Sequence, residues 1–312
     1  MIRVHGLTKT YGKVVAVDDL SFDVDPGRVT GFLGPNGAGK STTLRVMTGL
    51  DRPTAGEALI GGHPYRRIRQ PLREVGALLD AEAMHPGRTG RAHLRIAARS
   101  NGLPGARVDE VIEQVGLGEA SRRRIKGYSL GMRQRLGIAS ALLGDPGVLV
   151  FDEPVNGLDI DGVMWIRSLM HGLAAEGRTV LVSSHLMSEL QQIADHIVII
   201  GRGRLLADAP LGELLSSLGV RRVRVQTQAP EPLIVALRQR AVEFIRTGAE
   251  EVEIVGLDAS EVGALTHRLN LPVRHLSQVH HSLEDAYLRL TEDAVEFHGD
   301  DAPSTDTRGA RS

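Results

Sequence analysis

Gly34-Pro35-Asn36-Gly37-Ala38-Gly39-Lys40-Ser41 is a glycine-rich loop that closes on a lysine and a hydroxyl and follows directly on an apolar run at 29–33. This spacing suits a nucleoside triphosphate. Successive backbone N–H groups can wrap phosphate oxygens only where the chain bends tightly, and glycine permits such bends at little steric cost. Lys40 then reaches the β- and γ-phosphates, and Ser41 offers a hydroxyl to Mg²⁺. Leu44, Val46 and Met47 recur at helical spacing, so a helix is expected from Gly39 with its positive end under the anion. A chance glycine-rich turn would lack both the run before it and the helix after it.

Two further stretches could act on that triphosphate. Phe151-Asp152-Glu153-Pro154 ends another apolar run. In a parallel α/β sheet ligands gather at the carboxyl ends of strands, which would let Asp152 hold Mg²⁺ through water and Glu153 polarise an attacking water. Taken alone, such an acidic pair could equally solvate a turn. Upstream, Tyr128-Ser129-Leu130-Gly131-Met132 leads into helical residues 136–143. Ser129 suits an N-cap, with its hydroxyl and the first free N–H groups aimed outward at an anion, although a capped surface helix would look the same.

The elements that must position these groups alternate along the chain. Short β-branched runs fill residues 2–33, with more strand-like pieces over 57–79. Apolar positions at helical spacing over 89–146 imply an inserted helical subdomain. Buried strands at 148–151 and 179–182 alternate with helices at 164–173 and 186–193, the pattern of a parallel sheet covered on both faces. Beyond residue 220 the order becomes β-α-β-β-α-β, which suggests a small ferredoxin-like appendage. The expected division is a nucleotide-binding domain over 1–218, an α+β accessory domain over 219–291 and a disordered tail over 292–312.

Composition narrows the partners. The 312 residues carry 37 basic and 38 acidic side chains, so no charge footprint for nucleic acid exists. Only four of the basic residues are lysines, which makes Lys40 conspicuous. Absence of cysteine excludes disulfides and thiolate sites. The longest apolar runs fall far short of the roughly 18 residues of a spanning helix, and the first residues show no signal-peptide core, so any membrane role is expected through a partner.

Phosphate loop, Ser-x-Gly helix start, Asp-Glu strand end, Asn156-Gly157-Leu158-Asp159 and Ser183-Ser184-His185 occur in an order that resembles the ATPase subunit of ABC transporters. The resemblance covers residues 1 to about 215. It implies an ABC-type P-loop NTPase core with an antiparallel β subdomain and a helical subdomain. It makes residues 34–42 the Walker A loop, so that Gly34, Pro35, Asn36, Gly37, Ala38, Gly39, Lys40, Ser41 and Thr42 bind nucleotide. It makes 148–152 the Walker B strand, Glu153 the catalytic base, residues 128–132 the signature, 156–159 the D-loop and His185 the switch histidine touching the γ-phosphate. Tyr11 matches the aromatic that stacks on adenine, and Ser129 and Gly131 match the signature's phosphate contacts. ATP and Mg²⁺ are the implied cofactors, with Ser41, Asp80 and Asp152 at the metal.

The sequence departs from the family at two places. Asp80 stands where a glutamine is usual; it is anionic and acceptor-only, so it can ligate Mg²⁺ but cannot donate to phosphate. Leu130 and Met132 replace the commoner glycine and glutamine of the signature. Both features, and the closing stretch 282–288, resemble the branch serving antibiotic and lantibiotic export or self-resistance. The resemblance further implies a second copy of the chain in a head-to-tail ATP sandwich and separate membrane permease subunits met through residues 82–86. It places the chain at the cytoplasmic face of the membrane. A soluble ABC-type ATPase acting on ribosome or nucleic acid is the alternative; one Walker A loop and no extended heptads weigh against it. His280-His281 lies outside every nucleotide motif and reads as surface.

Overall fold

The computed structural model describes residues 1–217, 222–279 and 282–296. The described residues form two compact units, Met1–Gly212 together with Tyr287–Glu296, and Glu213–Ala286. The boundary expected at 218/219 falls on residues outside those described, as does His280-His281.

In the first unit β1 (Ile2–Tyr11), β2 (Val14–Val24), β3 (Val29–Leu33), α1 (Lys40–Met47), β4 (Ala55–Ile60), α2 (Pro71–Glu74) and β5 (Val75–Leu78) come first. Helices α3 (Gly90–Ser100), α4 (Ala106–Gln114) and α5 (Leu130–Leu142) form the helical insertion. Then follow β6 (Val148–Asp152), α6 (Ile160–Ala175), β7 (Thr179–Ser184), α7 (Met187–Ile193), β8 (His196–Gly201) and β9 (Arg204–Pro210), and α8 (Leu211–Ser217) carries the chain across the boundary after Gly212.

Strand character decides sheet membership. In β1 the buried Ile2 and Val4 alternate with exposed Arg3 and His5, the mark of a strand with one wet face, and β2-β1-β4 is accordingly an antiparallel sheet. Strands β3 and β7 are buried at every residue, and β6 and β8 at all but their last. These occupy the middle of the six-stranded sheet β5-β6-β7-β3-β8-β9, whose neighbours run parallel except for the edge strand β9. The two sheets share one apolar core. Phe22 of β2 stacks on Phe32 of β3 with ring centroids 5.2 Å apart, and Leu44 and Met47 of α1 are buried in the same cluster. The strand that carries the phosphate loop is thus packed into this core before the loop begins.

The second unit contains β10 (Arg222–Thr227), α9 (Glu231–Gln239), β11 (Phe244–Arg246), β12 (Glu251–Val255), α10 (Ala259–Arg268) and β13 (Val273–Val279). Its strands lie in the order β11-β12-β10-β13, all antiparallel, which is the split arrangement expected of a ferredoxin-like unit. Alternation again sets the faces: Val223 and Val225 join the core with Leu233, Leu237, Val252 and Ile254, while Arg224 turns away and meets the Glu253 carboxylate at 2.7 Å. Asp258 and Glu261 close a reciprocal capping box on α10.

A last helix, α11, spans Leu283–Glu296. It therefore runs into the stretch from 292 that was expected to lack structure; Leu283 and Ala286 are buried, and acidic Glu284 and Asp285 suit its first turn. Residues 297–312 lie outside those described.

Candidate functional site

Strand order assembles the site. Because β5, β6, β7 and β3 are consecutive neighbours in one parallel sheet, their carboxyl ends bring four loops to one rim: Asp80, Asp152-Glu153, Ser184-His185 and the phosphate loop. They come from segments up to 151 residues apart in sequence (185 − 34).

The phosphate loop has its shape because two of its glycines cannot be anything else. A Cβ on Gly34 would stand 2.6 Å from the Ile200 carbonyl oxygen, and one on Gly39 would stand 2.5 Å from that of Ala16. Gly39 also sits at φ 104, where side chains are strained. The Ala38 carbonyl accepts from Gly203 N–H at 3.0 Å, tying the loop to the β8–β9 turn. Gly39 makes no side-chain cap, so the first N–H groups of α1 have no intrahelical acceptor and face outward. Pro35, Asn36, Gly37 and Ser41 are exposed, Thr42 is half-buried and Ala38 is buried.

Lys40 is buried, and its ammonium donates to the carbonyls of Gly34 at 2.6 Å and Pro35 at 3.2 Å. Burial pulls its pKa below the ordinary lysine value, while the charges of Glu153 and Asp152 oppose that. Lys40 is thus near enough to both carboxylates to interact with them.

Asp152 accepts a hydrogen bond from the Ser183 hydroxyl of the neighbouring strand. Next to it the chain takes a left-handed step: Glu153 has φ 50, an uncommon conformation for a residue with a side chain. Its N–H donates to the Ser183 carbonyl at 3.1 Å, which holds the strained turn against β7. The Glu153 carboxylate is fixed in turn. His185 Nδ1 lies 2.9 Å from Oε2, Asn156 Nδ2 at 3.4 Å and Ser184 Oγ at 3.5 Å from the same oxygen.

Ser129 caps α5 by accepting from Met132 N–H at 3.2 Å and remains exposed, with Leu130 beside it 43% exposed. Tyr128 is buried, and its hydroxyl donates to the Ala120 carbonyl at 2.7 Å, anchoring the start of the helix. Gly131 faces Leu158, and a Cβ on Gly157 would come within 2.0 Å of Leu130. Gln134 of the same helix donates to the carbonyls of Glu153 at 3.3 Å and Asn156 at 3.5 Å. Ser129 and Gly131 therefore make their contacts within α5 and the 156–159 loop.

Tyr11 ends β1. Its hydroxyl donates to Asp51 Oδ2 at 2.7 Å, the atom that Arg45 Nε also reaches at 2.8 Å, and Thr42 stands within reach of it. The bond to Asp51 pushes the phenol pKa up. Lys9 Nζ sits 4.6 Å from the ring centroid, and the side chain is 45% exposed beside α1.

The oxygen donors suit a hard cation. Among the described residues no three His, Cys, Asp or Glu side chains form a metal cluster. Mg²⁺ does not need one, since one or two carboxylates with phosphate oxygens and water complete its shell. Asp152 and Ser41 fit that demand. Asp80 is exposed beyond β5, and its Oδ1 accepts the Glu82 N–H at 2.7 Å, closing a tight turn.

Ser183, Ser184, Gln134 and Glu189 escaped selection as individual site residues. A signal existed for the serines: two hydroxyls that follow the apolar run 180–182 are costly to bury unless each has a partner. Gln134 and Glu189 carry no such signal, because an amphipathic helix tolerates either on its wet side.

The ABC transporter family profile matches residues 17–156, and residues 221–284 match a domain of unknown function, DUF8746. The bacitracin transport ATP-binding protein BcrA of Bacillus licheniformis is 42% identical over 217 residues, 69% of this chain and 71% of that protein. The daunorubicin/doxorubicin resistance ATP-binding protein DrrA of Streptomyces peucetius is 35% identical over 303 residues, 93% of this chain and 92% of that protein. Among solved structures, the ATP-binding subunit of an ABC transporter superposes with TM-score 0.63 at 28% identity, covering 70% of this chain and 92% of that one.

Proposed function

We propose that this chain, which belongs to the ATP-binding subunits of ABC transporters, is an ATPase that energises export of an antibiotic-like compound through a separate membrane permease. The observation that carries the hydrolytic part is the carboxylate of Glu153, oriented by His185 and Asn156 at the same strand ends as Lys40 and Asp152. Glu153 would accept the proton of the attacking water. Lys40 and the outward N–H groups of the loop and α1 would bind the β- and γ-phosphates, and His185 would meet the γ-phosphate.

Asp152 and Ser41, with Asp80 at the rim, would hold Mg²⁺, which when bound neutralises charge on the β- and γ-oxygens. Tyr11 would offer its ring to adenine. Ser129 and Gly131 lie at the exposed start of α5, which supports a role in the nucleotide site of a second, head-to-tail copy. No described helix is long and apolar enough to cross a membrane, so the reading assigns passage to the permease, docked through residues 82–86, and places this chain at its cytoplasmic side. The chain is read as a nucleotide-binding domain over 1–218 followed by an accessory domain over 219–291.

The export part rests on the names of the relatives, one a bacitracin transport protein and one a daunorubicin/doxorubicin resistance protein. It is tested by coexpression with a membrane permease from the same genome. Inside-out vesicles carrying both proteins are expected to accumulate a fluorescent anthracycline or labelled peptide antibiotic with Mg-ATP. ATP hydrolysis without accumulation of either probe, or without membrane association, would overturn export while leaving the ATPase standing.

A further inference from the structure

Tyr11 is the last residue of β1, and an aromatic side chain that is 45% exposed at a strand end would ordinarily turn among several rotamers. Here it is tied. The phenol donates to Asp51 Oδ2 at 2.7 Å, and Arg45 Nε donates to the same oxygen at 2.8 Å. One carboxylate oxygen therefore joins the end of β1 to α1, the helix that starts at Lys40 after the phosphate loop.

Asp51 is fixed in its turn. Its N–H donates to the Arg45 carbonyl at 3.2 Å as the chain leaves α1, and the residues after it are fastened to β1. Lys9 Nζ donates to the Arg52 carbonyl at 2.8 Å, and Thr10 N–H to Thr54 Oγ1 at 3.0 Å. The Lys9 ammonium also lies over the Tyr11 ring, 4.6 Å from its centroid, so a flat ligand has the opposite face to stack on. Stacking on a mobile ring costs the entropy of ordering it, whereas a ring already tied in place has lost that freedom beforehand. The Arg45 and Asp51 side chains are 50% and 20% exposed, and such a surface pair contributes little to folding. Its effect on a ligand can therefore be measured apart from stability.

We propose that Asp51 is a positioning residue for nucleotide binding: its carboxylate locks the Tyr11 ring to α1, which sets the base platform at a fixed place relative to the phosphate loop before nucleotide arrives. The inference rests on Tyr11 receiving the adenine. Asp51 itself touches neither base nor phosphate in this role.

The test compares the affinity of the full chain for ADP, by calorimetry, with that for inorganic pyrophosphate, which has no base, by competition. Steady-state ATP hydrolysis is measured beside them. Asp51→Ala is expected to raise the ADP dissociation constant about threefold to tenfold, the range for ordering one side chain, with the pyrophosphate constant unchanged and kcat at saturating ATP within about twofold. Tyr11→Phe keeps the ring but loses the tie, so it should reproduce the ADP loss, and it carries the test if Asp51→Ala does not fold. The double variant should be no weaker than either single one. Asp51→Asn keeps an acceptor and is expected to bind ADP within about twofold of wild type. Wild-type ADP affinity in Asp51→Ala or in Tyr11→Phe overturns the proposal. So does an equal loss for ADP and pyrophosphate, which would place the effect in the phosphate loop, or a loss in kcat without one in affinity. Tyr11→Ala is run alongside. If it binds ADP as wild type does, the adenine platform has failed; if it binds ADP weakly while Asp51→Ala does not, only the role of Asp51 has failed.

Discussion

Glu153 Oε2 lies 2.9 Å from His185 Nδ1, so the carboxylate at the end of β6 is held by the imidazole that follows β7. The arrangement that keeps Glu153 anionic has Nδ1–H donating to it. His185→Ala would leave the carboxylate free to leave the attacking geometry without touching the phosphate loop. A loss of roughly 10²-fold in kcat is expected, with ATP affinity within a few-fold of wild type. Phosphate release and fluorescent-nucleotide titration check it; equal losses in both would instead make His185 a binding residue.

Glu153→Gln tests the base itself. The amide preserves size and can still contact His185 and Asn156, but it cannot accept a proton from water. Turnover is expected to fall by about 10²–10⁴-fold while ATP stays bound. If two copies close on the nucleotide, size-exclusion chromatography with Mg-ATP will show the variant as a dimer that the wild type populates only transiently.

Gly39 and Gly37 allow two costs to be separated. Both have positive φ, 104 and 81, but a Cβ on Gly39 meets the Ala16 carbonyl oxygen at 2.5 Å whereas one on Gly37 meets nothing within 4 Å. Gly37→Ala should therefore cost only backbone strain, about 1 kcal/mol. Gly39→Ala adds a clash with main chain that cannot move without disturbing β2, and about 2–4 kcal/mol is expected. Denaturant midpoints of the two variants measure the difference.

The sheet was legible in the sequence because its strands are unusually one-sided in composition. Mostly apolar runs at 148–151 and 179–182 alternate with helices and read as buried parallel strands, and once such strands neighbour one another their ends must converge. The appendage was legible for the same reason, through the alternation in Val223-Arg224-Val225. Side-chain partnerships were not legible. That Gln134 reaches the Glu153 carbonyl depends on the angle at which α5 packs, and that Glu153 sits in the left-handed region depends on Ser183 in the neighbouring strand. Neither distance leaves a periodic trace. The start of α11 was visible in 282–288, but its continuation to Glu296 was hidden by the low apolar content of its last turns.

Asp80 is held by its own turn, with Oδ1 on the Glu82 N–H, in the loop leading to residues 82–86. Asp80→Ala should therefore loosen that loop more than it weakens nucleotide binding. ATP affinity is expected to stay within about threefold, a change under 1 kcal/mol, while stimulation of hydrolysis by the permease is reduced. Side-by-side nucleotide titration and ATPase assays with and without permease-containing vesicles decide it; loss of ATP binding with permease stimulation intact would give Asp80 a role at the metal alone and none in coupling.

Glu189 makes stability depend on pH in a direction opposite to that of an ordinary salt-bridged carboxylate. Its pKa is raised in the fold, by burial first and the charge of Glu153 second, so the folded chain binds this proton more tightly than the unfolded one. Below the unfolded value both states hold the proton and its contribution is complete; as pH rises through the folded value that contribution is lost. Glu189→Gln has no proton to lose. Its melting temperature should match wild type near pH 5 and exceed it progressively toward pH 8, by the equivalent of about 1 kcal/mol, the scale of one poorly satisfied buried polar group. Paired thermal melts across that range measure the difference directly. A gap that stays constant with pH, or one that favours wild type at pH 8, would mean that Glu189 is ionised in the folded protein and that its buried oxygen is compensated by the charge of His185.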